Sequence, residues 1–182
     1  DQLLKKNGTL FIQIPDISIN PFYSLMGDQT VIFTKVSLTN VLAKFGYELV
    51  SINNDYFPRE ALFFAQKNEN ILDIYNYSMD YTFEKNLKII NLAKKKLKKI
   101  NYENITVLGT TVNAAFADEI LGERMQFFID ENPSKIGKIF RSKKVLHPNK
   151  LSTRNHTVIP FGESGADIKN RFNKLYNGTF AT

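Results

Sequence analysis

The second half of the chain alternates short apolar runs with helical patterns, and this alternation restricts the possible folds more than any other feature of the sequence. The apolar runs cover Ile105–Leu108, Met125–Ile129, Lys144–Leu146 and Thr157–Phe161, and the helical patterns cover Thr111–Leu121 and Ala166–Tyr176. Strands that alternate with helices are joined by right-handed crossovers into a parallel sheet. The sequence therefore predicts an α/β domain over residues 104–182.

The first part of the chain has a different order, namely one strand, one helix and then two strands. The predicted strands are Thr9–Ile14, Tyr47–Asn53 and Glu60–Gln66, and Ser37 is predicted to cap a helix over Leu38–Phe45. Turn residues at 53–58 predict that the last two strands pair antiparallel. Residues 3–8 have the pattern of a final helical turn followed by glycine, so we expect that sequence upstream has been removed.

A lysine-rich segment connects the two parts, and the region Ile71–Ile100 is helical in character. Its predicted apolar face consists of Phe83, Leu87, Ile90, Ala93, Leu97 and Ile100. We interpret the lysines as a solvated outer face, because no nucleic-acid motif accompanies them. The expected organisation is residues 1–68, a helical connection over 69–103, and the parallel-sheet domain over 104–182.

Composition excludes several classes of protein. The 182 residues carry a formal charge of +6, contain no cysteine and include two histidines, so we expect neither a disulfide framework nor a metal site. No apolar run reaches the roughly 18 residues of a membrane helix, and we expect no signal peptide. We expect a cytoplasmic protein that binds neither nucleic acid nor membrane.

The carboxyl ends of parallel strands are where ligands bind in such sheets. Gly109 and Thr110 follow the first strand, Asn113 lies in the next helical turn, and Asp130 ends the second strand. A glycine followed about 20 residues later by a carboxylate is the spacing of dinucleotide folds, although only one fingerprint glycine is present here. Asp130 either contacts a ligand or begins the turn that follows it.

Three further charged residues have two interpretations each. Glu163 either hydrogen-bonds a sugar hydroxyl or favours the N-terminus of the helix that follows it. Arg141 and Lys143 either neutralise phosphates or are simply solvated. In the first part of the chain, Asp28 is a candidate general base.

The order of elements resembles the end of a class I S-adenosylmethionine-dependent methyltransferase followed by the Rossmann-like C-terminal domain of the sugar C-methyltransferases. The stretch Leu4–Pro15 resembles the fifth strand of the methyltransferase fold, and the helix closing at Gly46 and the two strands ending at Gln66 resemble its remainder. The segment 130–137 is similar to the Asp-x-Asn-Pro-x-Lys-x-Gly stretch of the C-terminal domain. The resemblance implies that the last two methyltransferase strands form the antiparallel pair.

The resemblance also implies a catalytic loop at Asp28 and Gln29, where the family has an acidic residue followed by histidine. Glutamine cannot accept a proton near neutral pH. This leaves open methylation of an oxygen or nitrogen, a base at Asp28 or Tyr23, or an inactive relative.

The function implied by the resemblance is methyl transfer from S-adenosylmethionine to a nucleotide-linked sugar, with this part of the enzyme holding the acceptor through Gly109, Thr110, Asn113, Asp130, Arg141 and Glu163. The glycine-rich loop that holds the cofactor in such enzymes is not found in this sequence, so we expect the chain alone to bind S-adenosylmethionine weakly or not at all and to be inactive by itself. The alternatives are a non-catalytic nucleotide-binding module, a dehydrogenase-like protein and a nucleic-acid role with salt-dependent binding through the face Lys94–Lys99. The sequence leaves the sugar, the methylated atom and the oligomeric state open.

Overall fold

A computed structural model describes residues 4–5, 7–27, 30–57, 59–68, 79–160 and 162–182, without the side chain of Glu163. The chain divides into two compact units, Asp1–Ile89 and Ile90–Thr182. The division falls inside the longest helix, α2 (Thr82–Lys99), which lies within the expected connection over 69–103. No helix in these described ranges is long and apolar enough to cross a membrane.

The first unit contains a three-stranded antiparallel sheet and one helix packed on it. Its elements are β1 (Thr9–Pro15), α1 (Lys35–Lys44), β2 (Tyr47–Asn53) and β3 (Glu60–Lys67). The strand order is β1-β3-β2, and both outer strands run antiparallel to β3. The predicted strand, helix, strand, strand order and the antiparallel pair are confirmed.

Helix α1 covers the sheet because its apolar residues recur at helical spacing. Leu38 and Leu42 pack against Ala61, Phe63 and Ala65, which alternate along one face of β3. The helix begins earlier than predicted. Its cap is Thr34, whose hydroxyl accepts a hydrogen bond from the N–H of Ser37, while the Ser37 hydroxyl accepts one from the N–H of Thr34. Ser37 is thus the reciprocal partner in a capping box and not the cap itself.

Helix α2 buries the later part of the predicted apolar face, where Ala93 and Ile100 are partly buried, but not its first two residues. Ile90 and Leu97 are buried, whereas Leu87 is 56% exposed and Phe83 is 41% exposed. Asn86 takes an inward position because its side-chain amide donates a hydrogen bond of 3.0 Å to the carbonyl oxygen of Ile17. An apolar pattern cannot reveal a polar side chain that is buried in order to satisfy a backbone carbonyl.

The second unit is a six-stranded sheet with helices on both faces. The order is β6-β7-β5-β4-β8-β9, and every pair is parallel except β6 with β7. The elements are β4 (Ile105–Leu108), α3 (Val112–Leu121), β5 (Met125–Ile129), β6 (Ile139–Phe140), β7 (Lys143–Leu146), β8 (His156–Val158), α4 (Gly165–Leu175) and β9 (Thr179–Ala181). The predicted parallel strands and the predicted helices are present. The short edge strands β6 and β9 were not predicted.

Two apolar clusters hold this sheet. Leu97 from α2 and Ala114, Ala117 and Leu121 from α3 pack on one face, against residues such as Phe128. On the other face, α4 contributes Phe172 to a second cluster, which also contains Leu108, Ile129, Leu151, Ile159 and Phe180. The central strands are therefore covered on both faces, as their mainly apolar runs indicate.

Gly178, just before β9, has a backbone conformation that requires glycine. Its φ is +106°, and an added Cβ would lie 3.0 Å from the carbonyl oxygen of Asn155 and 3.3 Å from that of Ser152. We expect Gly178→Ala to lower the free energy of unfolding by about 1–3 kcal/mol, measured by urea denaturation. Gly27→Ala is the control, because its added methyl meets none of the described atoms within 4 Å. An equal, small effect of both substitutions would contradict this expectation.

Candidate functional site at the carboxyl edge of the parallel sheet

The turn after β4 is fixed by glycine and by a backbone hydrogen bond. Gly109 has a φ of +88°, a region that L side chains rarely adopt, and its N–H donates to the carbonyl oxygen of Ile129 at 2.7 Å. The chain can therefore turn sharply at the end of β4 while it stays bonded to the end of β5. Gly109 thereby brings the loops after these two strands together.

Thr110 and Asp130 meet at this edge. The Thr110 hydroxyl donates to Oδ2 of Asp130 at 3.3 Å, and the N–H of Asp130 donates to the carbonyl oxygen of Leu146 at 3.0 Å. Oδ1 of Asp130 also accepts a hydrogen bond of 2.9 Å from the N–H of Asn132. Asp130 is thus a turn former whose carboxylate lies, half-buried, beside Thr110. The turn-forming interpretation is confirmed, and contact with a ligand stays a prediction.

The N-terminus of α3 lies next to this pair. Thr111 is its N-cap residue, and its side chain makes no capping hydrogen bond within the described part of the chain. The first N–H groups of a helix carry a partial positive charge and attract anions. Asn113 has a different use, since its buried side-chain amide donates to the carbonyl oxygen of Pro160 at 2.8 Å and so ties α3 to the end of β8.

Arg141 lies elsewhere. It occupies the turn between β6 and β7, before β7 begins, and therefore at the amino edge of the parallel sheet. Its guanidinium binds the buried carboxylate of Asp118 at 2.8 Å and Glu119 at 2.5 Å, and Lys143 binds Asp118 at 2.9 Å. The hydrogen bond to Asp118 raises the pKa of Arg141 above its usual value. The structure does not bring Arg141 together with Thr110 and Asp130.

The remaining predicted residues are only partly described. Asp28 and Gln29 lie outside the described residues, as does the side chain of Glu163, although its backbone belongs to a short 3-10 helix, Gly162–Ser164. Tyr23 lies in another 3-10 helix, Pro21–Leu25, and is half-buried. Its N–H donates to the carbonyl oxygen of Asn20 at 3.1 Å. These roles stay predictions.

Sequence reasoning missed a charged cluster next to Asp130. Glu131 accepts hydrogen bonds of 2.8 and 2.5 Å from the guanidinium of Arg171 and one of 2.8 Å from the hydroxyl of Tyr176. The Arg171 bonds lower the pKa of Glu131, while burial and Glu131 together raise the pKa of Tyr176. The ring of His147 packs edge-on against Tyr176. The loop that carries Asp130 is therefore braced against α4.

A second polar site lies in the first unit, at the end of β1. The buried carboxylate of Asp16 binds Lys35 at 2.8 Å, accepts bonds from the N–H and hydroxyl of Ser18, and accepts a bond of 3.0 Å from the Asn54 amide. Burial alone would raise the pKa of Asp16, but the hydrogen bonds from Lys35 and Ser18 outweigh it and hold the pKa below its usual value. In the sequence, this site could have been found from Asp16, a carboxylate directly after a predicted strand.

A cavity of about 250 Å³ adjoins this carboxylate. It is lined by Asp16, Ile17, Ser18, Thr34, Lys35, Val36 and Thr82. The Thr34 hydroxyl also donates a hydrogen bond to the carboxylate of Asp80. Burial alone would raise the pKa of Asp80, but this bond and those from Thr82 outweigh burial and hold the pKa below its usual value. Lys35 is one cation against the two carboxylates of Asp16 and Asp80, so the region carries a net negative charge and its polar groups suit hydroxyl groups better than an anion.

No group of three or more histidine, aspartate or glutamate side chains among the described residues is arranged to hold a metal ion. A scan against protein-family models gives no match for this chain. A search of curated proteins also gives no match.

Proposed function

We propose that this chain holds the acceptor for an S-adenosylmethionine-dependent methyltransferase that acts on a nucleotide-linked sugar. The observation that carries the proposal is the hydrogen bond between Thr110 and Asp130, beside the N-terminus of α3. A helix N-terminus attracts phosphate, and a carboxylate at this edge accepts hydrogen bonds from ribose or sugar hydroxyls. A nucleoside diphosphate linked to a sugar offers both partners.

The first unit supports the methyltransferase part of the proposal. Strands β2 and β3 pair antiparallel, which is what the resemblance implies for the last two strands of the class I fold. The cavity beside Asp16 lies at the end of β1, and its hydroxyl groups suit a polar acceptor. The catalytic contribution of these residues would be to orient the acceptor and exclude water, which raises the rate by removing unproductive geometries.

The described residues do not fit S-adenosylmethionine itself. The connection from β1 to α1 contains one glycine, Gly27, and no glycine-rich turn that leads directly from a strand into a helix. The proposal therefore assigns this chain to the acceptor and not to the cofactor. Calorimetry that shows micromolar binding of S-adenosylmethionine to the 182 residues would contradict that assignment.

A thermal-shift screen tests the proposed substrate class. We expect dTDP-sugars or GDP-sugars to raise the melting temperature, because a ligand that binds only the folded state stabilises it by mass action. Free NAD should have no effect. Stabilisation by NAD alone would favour the dehydrogenase-like alternative, and no stabilisation by any nucleotide sugar would refute the proposal.

Asp130→Asn is expected to weaken nucleotide-sugar binding about tenfold or more, because a charge-assisted hydrogen bond to a hydroxyl is lost. Asparagine can still accept the bond from the N–H of Asn132, so the turn should persist. The measurement is isothermal titration calorimetry with the nucleotide sugar that stabilises the wild type most. Glu123→Gln, an exposed substitution before β5, should leave binding unchanged. Equal affinities of all three proteins would remove Asp130 from the site.

A further inference from the structure

The loop between α2 and β4 is held rigidly at the amino edge of the parallel sheet. The guanidinium of Arg124 donates to the carbonyl oxygen of Ile100 at 2.6 Å, and the Gln126 amide donates to Oδ1 of Asn104 at 2.6 Å. The N–H of His156 donates to the carbonyl oxygen of Asn104 at 3.1 Å. Asn104 itself has a φ of +56°. A loop fixed at this many points presents its side chains in one arrangement.

Tyr102 lies on this loop and stacks on His156. The ring centroids are 4.1 Å apart and the ring planes differ by 12°. His156 is held in turn by a hydrogen bond of 2.5 Å between its Nδ1 and the hydroxyl of Thr179. Tyr102 remains 55% exposed although one ring face is covered. The pair is thus a prepared aromatic surface with an open face, and such surfaces stack nucleic-acid bases.

Exposed cations lie close in sequence to both members of this aromatic pair. Lys98 and Lys99 end α2 a few residues before Tyr102, and Arg154 precedes His156 by two residues. All three are exposed, and none forms an ion pair with any residue that the structure describes. Glu103 and Glu123 lie at the same edge, but residues 90–182 contain 16 lysines and arginines against 8 aspartates and glutamates. This excess attracts phosphates.

We propose that the Tyr102–His156 pair and its neighbouring cations bind a single-stranded nucleic acid, with one base stacked on Tyr102. The exposed lysines continue along α2 from Lys99 back to Lys94, over about 7 Å of helix axis. A basic surface of that length, with the exposed Arg154 two residues before His156 in the chain, offers contacts to more than one phosphate. A strand therefore fits better than a free nucleotide. Sequence alone favours a solvated lysine face, because the aromatic partner comes from β8, more than fifty residues away.

The test is fluorescence anisotropy with a labelled twelve-nucleotide oligouridine at 50 mM salt, on the full chain. We expect Tyr102→Ala to weaken binding about tenfold, because one base–aromatic stack is lost. Tyr102→Phe should keep the wild-type affinity within about twofold, since phenylalanine stacks equally well. Tyr81→Ala, an exposed tyrosine of the first unit, is the matched control and should have no effect.

Salt dependence tests the cations. Replacing both Lys98 and Lys99 with glutamine should reduce the slope of log affinity against log salt by about 0.7 for each lost phosphate contact. Absence of binding, or equal affinities of wild type and Tyr102→Ala, would overturn the proposal. Full competition by an equal concentration of uridine monophosphate would overturn it too, because the site would then take a free nucleotide.

The result is separable from the proposed sugar site, which lies at the opposite edge of the sheet. Asp130→Asn should leave oligouridine binding unchanged, and Tyr102→Ala should leave nucleotide-sugar binding unchanged. If Asp130→Asn weakens oligouridine binding and Tyr102→Ala does not, the oligonucleotide binds at the carboxyl edge and the proposal is refuted.

Discussion

Replacing Phe172 with alanine is expected to lower the free energy of unfolding by about 3–5 kcal/mol, the usual range for a buried aromatic side chain. Phe172 is completely buried, and its ring meets those of Tyr176 and Phe180 at centroid distances of 4.9 and 5.4 Å. The Arg171 guanidinium lies 5.0 Å from the Phe172 ring centroid. The substitution therefore removes both the centre of the α4 cluster and a support of the Arg171–Glu131 contact.

Urea denaturation followed by circular dichroism measures this loss. The control is Leu175→Ala on the same helix. The Leu175 side chain is 58% exposed, so its loss should lower the free energy of unfolding by under about 0.5 kcal/mol. A loss below about 1 kcal/mol for Phe172→Ala would mean that α4 does not pack on the sheet in this way. Phe172 would then not lie at the centre of the second apolar cluster.

Replacing Asp16 with alanine is expected to lower the free energy of unfolding by about 2–3 kcal/mol, the second large effect. The side chain is 3% exposed and accepts bonds from Lys35, Ser18 and Asn54, which would lose their common acceptor. The loss should stay below that of a fully buried ion pair, because Lys35 is 36% exposed and can turn to water. Asp55→Ala, an exposed aspartate of the same unit, should change stability by under about 0.5 kcal/mol.

The pH dependence of Asp16→Asn gives a separate check. The pKa of Asp16 is lower in the folded than in the unfolded state, so its carboxylate stabilises the fold above the ordinary aspartate pKa of about 3.9. That stabilisation is lost as the pH falls through the folded pKa. The difference in unfolding free energy between wild type and Asp16→Asn should therefore be constant near neutrality and shrink below about pH 4. A difference that does not change with pH would contradict the ion pair with Lys35.

The local patterns predicted most elements because each strand and helix of the core carries its own apolar period. Strand Ile105–Leu108 is buried along its whole length and Met125–Ile129 along most of its length, and both appear in the sequence as mainly apolar runs. The strand Thr179–Ala181 was missed because only one of its three residues, Phe180, is buried. Such a short edge strand depends on its partner β8 and has almost no pattern of its own.

The sites were harder to predict than the elements because they depend on contacts between distant parts of the chain. The juxtaposition of Thr110 and Asp130 followed from the rule that parallel strands end at one edge. Arg141 follows no such rule, since the two-residue turn between β6 and β7 places it at the opposite edge, on Asp118. Nothing near Glu131 in sequence indicates that its partners come from α4, forty residues later.

The central claim is that a nucleotide-linked sugar binds at the carboxyl edge of the second unit's sheet. An NMR titration of the ¹⁵N-labelled chain with a nucleoside diphosphate sugar tests it most directly, because each backbone N–H reports its own surroundings. We expect the largest shifts at Gly109, Thr110, Thr111 and Asp130, with the amino edge around Tyr102 unaffected by this ligand. If saturating ligand leaves those four signals in place, or shifts only other signals, the nucleotide-linked sugar does not bind at the carboxyl edge.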